Sequence, residues 1–216
     1  MPISDFLIRK ILNQIRSLNQ YNEDDIDMMR YSLQSILWEI EKVIIIFLVF
    51  FLFGYQNYFL LTLIVLMSIR VLAGGYHSKT SLSCLLITFL GFFLAIIILP
   101  WIPLNNLAIM VLSIFSLIVT LLAAPIRSIE KDAIQSKDRD SQKKITAFII
   151  TSIWLILIFF NKTNIYAFSA LWIIVLQNAQ LLFEYLRRRE DKNVKETFWT
   201  NKTIRKIIKN GSRDSS

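Results

Sequence analysis

Apolar residues fall into six long runs separated by polar segments, at about residues 36–53, 58–73, 82–99, 104–124, 145–160 and 165–186. A helix needs roughly 20 residues to cross the hydrocarbon of a bilayer, within a range of about 17–25, so each run is close to a spanning length. The links alternate: Gly54–Asn57, Pro100–Pro103 and Asn161–Asn164 are tight turns, and the other connections are longer and polar. This pattern predicts an all-α polytopic membrane protein with six transmembrane helices arranged as three hairpins.

Ahead of the runs, Ile3, Leu7, Ile11, Ile15 and Leu18 recur on one helical face, with Arg9, Lys10, Asn13 and Arg16 opposite and Ser4 placed to cap the start. The first 35 residues therefore read as an amphipathic N-terminal segment. Its helix either lies in the interface of the inner leaflet or packs on cytoplasmic loops. A second helix is expected to begin near Asn22 and to enter the first run through Ile26, Met29, Leu33 and Ile36. Asp5, Arg9 and Lys10 break the first apolar stretch, so no cleavable signal peptide is expected. Residues 36–186 form the membrane domain, and Arg187–Arg189 opens a basic tail over 187–216.

Charge gives a direction. No Asp or Glu occurs between Glu41 and Glu130. Of 24 Lys and Arg, the three tight turns hold one, Lys162, and all the others lie in the opposite set of segments. Positive residues mark the cytoplasmic side, which puts both termini inside. The net charge of +8, with Phe198, Trp199 and basic residues in the tail, points to anionic inner-leaflet lipid rather than nucleic acid. The loop 125–144, with six cations and four acids, can guide an acidic peptide or simply set topology. No G-x-x-x-G face supports self-association, although a homodimer is compatible with a helical membrane protein.

One His and one Cys exclude an internal disulfide, multi-cysteine zinc sites and paired-histidine zinc sites. No phosphate-loop, dinucleotide or nucleophile-elbow motif is present, and no cofactor is called for. Any nucleophilic chemistry must then use His77 and Cys84, seven residues apart. The thiolate is the reactive form of cysteine, and an imidazole can take and return its proton. A helix starting at Thr80 or Ser81 puts Cys84 in its first turn, where unpaired N–H groups face outward. In one unbroken helix the two residues would sit roughly 10.5 Å apart along the axis. The pair therefore requires a break between them, which Gly74-Gly75 can supply. The alternative is plain: Cys84 as a small buried hydrophobe and His77 as an interfacial anchor.

Arg70-Val-Leu-Ala-Gly74-Gly75-Tyr76-His77-Ser78-Lys79-Thr80, followed by Cys84, resembles the signature of the accessory gene regulator B (AgrB) family, quorum-sensing membrane endopeptidases of Gram-positive bacteria. The likeness extends to chain length, a polar helical N-terminus, several spans and Ala124-Pro125 leading into a basic loop. It implies an AgrD-like precursor peptide as substrate. The enzyme would remove the precursor's acidic C-terminal segment and promote cyclisation to a thiolactone or lactone signal. By similarity Cys84 is the nucleophile and His77 the base, in the cytoplasmic membrane and on its inner side, with Arg70 and Gly75 as further signature positions.

Arg70 reads either as an interfacial charge or as an anchor for an acidic peptide, and Gly75 as a helix terminator or as the hinge that brings His77 to Cys84. Lys79 is an inside charge that can also favour the thiolate. Gln177, Gln180 and Glu184 share a face of the sixth run, either bonding between helices or orienting His77. The competing functions are a small transporter and a non-catalytic membrane scaffold.

Overall fold

Each apolar run folds as a helix because a backbone facing lipid must satisfy its own polar groups. The computed structural model describes residues 2–16, 22–74, 81–126, 137–161 and 164–211, with backbone alone for 2–7, 24, 81, 137–139 and 191–211. Helix α1 is Pro2–Arg16, α2 Glu23–Leu52, α3 Gln56–Ala73, α4 Ser81–Phe93, α5 Asn106–Ala123, α6 Lys137–Phe160 and α7 Ile165–Gly211. No strand occurs among the described residues.

Local chemistry sets most ends. Pro2 opens α1 at a position where its missing N–H costs nothing. Ser4 thus lies inside the first turn, and its expected capping position is corrected. Gly54, at φ +76°, turns the chain after α2, and the N–H of Tyr55 reaches back to the Phe50 carbonyl at 2.8 Å. Asn105 caps α5 by accepting the Ala108 N–H at 2.8 Å. Beyond Phe93, α4 widens into a π-helical stretch over Leu94–Ile98 and tightens into a 3₁₀ turn over Leu99–Trp101. Pro100 explains the change, since it has no N–H and its ring would press on the carbonyl one turn back.

Five helical stretches are long and apolar enough to cross a membrane: Gln56–Ala73, Leu82–Trp101, Asn106–Ala123, Asp140–Phe160 and Ile165–Glu190. The outward face of the bundle is apolar, with Leu52, Trp101 and Phe160 more than three-quarters exposed. This is the exterior of a multi-pass membrane protein, with lipid as the outer solvent. Helix α2 is not among the five. Its 30 residues, roughly 45 Å long, carry Glu39, Glu41 and Lys42 just before the apolar stretch Val43–Leu52.

Helix α7 is the hub: α3, α5 and α6 pack on it, as does the end of α4. Its inward face, including Leu171, Ile174, Gln177, Asn178, Leu181 and Glu184, is fully buried. Helix α5 packs on α6 and α7, and α4 on α2 and α7. Hydroxyls in the apolar helices return their protons to their own backbone, as Thr62 does to Tyr58 and Thr151 to Ala147, each at 2.8 Å. An aromatic layer of Tyr55, Tyr58 and Tyr166 lies at the start of α3 and α7, with Tyr58 and Tyr166 stacked at 4.1 Å. Helix α1 turns its apolar face onto α2, where Ile8 and Leu12 are buried with Ile26 against Met29, Leu33 and Leu37. That contact is between helices and takes up apolar surface that the sequence pattern offers to lipid.

Candidate functional site

The signature begins at the end of α3. Arg70 sits in its last turn, where a cation favours the carbonyl end of the helix dipole. Gly74 ends the helix at φ +80°, its N–H bonded to the Arg70 carbonyl at 2.9 Å. Two further contacts pin this point. The Ile126 N–H donates to the Ala73 carbonyl at 2.9 Å, and Gln177 Nε2 of α7 donates to the Gly74 carbonyl at 2.9 Å. A Cβ on Gly74 would collide with the backbone of Ile126. The junction therefore needs glycine twice over, for its backbone angle and for its missing side chain.

Gly75, His77 and Lys79 lie outside the described residues. The chain resumes at Ser81, which opens α4, so Cys84 stands in the first turn as the spacing predicts. Cys84 is half-buried and is a free cysteine. Its carbonyl accepts the Thr88 hydroxyl at 2.8 Å.

The sulfur has a partner that the sequence did not suggest. Lys42 Nζ of α2 lies 3.2 Å from Cys84 Sγ and 2.7 Å from Glu39 Oε1. Lys42 is 6% exposed. Phe50 follows Lys42 by eight residues and Phe92 follows Cys84 by eight, and both rings meet Phe59 of α3, at 5.5 and 4.8 Å. Helices α2 and α4 thus run in the same direction with matched register, which sets Lys42 beside Cys84. The signal available in the sequence was weak: a lysine followed at once by eleven apolar residues.

The polar face of α7 divides among several tasks. Gln177 holds Gly74. Asn178 accepts the Thr120 hydroxyl of α5 at 2.8 Å and donates to the Ile174 carbonyl at 3.0 Å. Gln180 packs at Gly91 of α4. Glu184 is buried, and its Oε1 takes Arg187 at 3.0 Å and Arg188 at 2.9 Å, both from its own helix. No group of three His, Cys, Asp or Glu that could hold a metal occurs among the described residues.

The family model for Accessory gene regulator B matches residues 7–181. An AgrB-like protein of Clostridium beijerinckii is 34% identical over 141 residues, which is 65% of this chain and 69% of that protein. No solved structure matches.

Proposed function

The chain belongs to the accessory gene regulator B family, and from that premise we propose that it is a membrane-embedded cysteine endopeptidase. It cleaves the C-terminal segment from an AgrD-like precursor and promotes closure of the remaining peptide into a thiolactone or lactone. The carrying observation is the placement of Cys84, the single cysteine of the chain, in the first turn of α4 at the end of the bundle where α3 delivers the signature.

The reaction follows from these roles. His77 takes the proton of the Cys84 thiol, and the sulfur attacks a peptide carbonyl of the precursor. First-turn N–H groups of α4 are suited to the developing oxyanion. The C–N bond breaks, His77 returns the proton to the departing amine, and the N-terminal fragment is left as a thioester on Cys84. An internal thiol or hydroxyl of that fragment attacks the thioester carbonyl, closes the ring and releases the Cys84 sulfur. Tethering favours this step over hydrolysis by raising the local concentration of the internal nucleophile. Arg70, in the last turn of α3, is suited to an acidic precursor segment.

In this reading α2 supplies a sixth span over about residues 36–53, both termini are cytoplasmic, and the site opens on the inner side of a Gram-positive cytoplasmic membrane. Co-expression with the precursor from a neighbouring reading frame tests the assignment. Cys84→Ala is expected to abolish cleavage while the protein still inserts, and the wild-type protein to carry a thioester adduct visible by mass spectrometry. Normal cleavage by Cys84→Ala would overturn the enzyme assignment.

A further inference from the structure

We propose that Lys42 is a catalytic residue whose ammonium faces the Cys84 sulfur and stabilises the negative charge that develops on it, with Glu39 tempering that effect; the inference rests on the reading of Cys84 as nucleophile. A lysine at the polar end of an apolar helical stretch ordinarily extends its amine to water. Lys42 does the reverse. Its side chain is 8% exposed, and its amine points inward to the sulfur at 3.2 Å, while Glu39, 41% exposed, holds it from the solvent side at 2.7 Å.

Burying an ammonium is costly unless its donors are used. Glu39 takes up one of its three N–H donors. Another is directed at the atom that must become negative.

The ammonium acts at both ends of the proposed cycle. Before attack, His77 receives the thiol proton and Lys42 faces the resulting thiolate, so no proton moves through the lysine. After acylation the sulfur is neutral in the thioester. When the ring closes, the C–S bond breaks and the electron pair returns to sulfur beside the same ammonium. Lys42 thus favours formation of the nucleophile and also its departure as leaving group.

Glu39 supplies the discriminating sign. If the pair were only a brace between α2 and α4, losing either partner would perturb Cys84 in the same way. If the ammonium stabilises the thiolate, the neighbouring carboxylate opposes it, and the two losses act in opposite directions.

The experiment is the rate at which iodoacetamide alkylates the detergent-solubilised full chain at pH 7, where the single cysteine makes every adduct an adduct of residue 84. Lys42→Gln is expected to slow alkylation by about tenfold, Lys42→Arg to stay within about threefold of wild type, and Glu39→Gln to accelerate it. An unchanged rate in Lys42→Gln, or equal slowing in Lys42→Gln and Glu39→Gln, would overturn the proposal. Should Lys42→Gln fail to fold, the acceleration in Glu39→Gln decides alone. Precursor cleavage by Cys84→Ala is scored separately. Its persistence sinks the peptidase reading whatever the alkylation rates, and those rates judge Lys42 whatever the precursor does.

Discussion

Among the described residues two charged side chains are buried, Lys42 and Glu184, and they are handled in opposite ways. Glu184 of α7 is enclosed by Arg187 and Arg188 from the next turn of its own helix. Two cations answer one anion, and the contacts are local. Lys42 of α2 is answered from its own helix by Glu39, and the rest of its field falls on Cys84, 42 residues away. The first arrangement is an ion-pair cluster within one helix, made at Oε1 of the carboxylate. The second leaves a positive charge directed at a polarisable atom. A buried carboxylate held by cations of its own helix serves the fold, whereas in our proposal an ammonium shared with a distant sulfur has a chemical use.

That contrast can be broken or sharpened by substitution. The largest effect is expected at the α3–α5–α7 seam. Gly74→Ala adds a Cβ against the Ile126 backbone and strains a residue at φ +80°, and should cost about 2–4 kcal/mol. The readout is thermal unfolding of the purified protein, and a variant as stable as wild type would show that the junction is not rigid. Glu184→Gln leaves two partly exposed arginines without their anion. Screening by solvent limits the loss to about 1–2 kcal/mol, and the alkylation rate of Cys84 should not change. A shift in that rate would erase the distinction between the two charges and favour a role for Glu184 next to His77.

Smaller still is Thr120→Val, which removes the hydroxyl donor from Asn178 and should cost about 0.5–1.5 kcal/mol. Gly54→Ala is the control for Gly74. It shares the positive φ, yet nothing lies within 4 Å of the added Cβ, so only the backbone strain of about 1 kcal/mol is expected. Comparable losses at the two glycines would mean that the collision with Ile126 relaxes away.

Much of the helix layout was legible because lipid imposes a long, uninterrupted apolar pattern. The expected runs beginning near Tyr58, Leu82 and Ile165 start within two residues of the observed α3, α4 and α7, and α7 continues past the expected end at 186 to Gly211. The placement of Cys84 in a first turn followed from Ser and Thr preceding an apolar run. The continuity of α2 from Glu23 through the first run was also foreseen, from Ile26, Met29, Leu33 and Ile36.

Lys42 reads in the sequence as one more inside charge, because its sulfur partner lies on another helix. The role of Gly74 was only half visible. A glycine pair announces a helix end, but not that the backbone of Ile126 closes over the first of them. The polar face of α7 reads in the sequence as a stripe, while its clasp on Gly74 and its bond to Thr120 depend on which helix lies opposite each residue.

By itself the sequence determined the helical class, the apolar exterior and the family, because each is written in periodicity or in a short contiguous motif. Tertiary structure alone decided which charges face which atoms. Helices in lipid gain little from hydrophobic segregation and choose their neighbours by shape and polar contact. The aromatic packing of Phe50, Phe59 and Phe92, which seats α2 beside α4, can be read only once the helices are assembled.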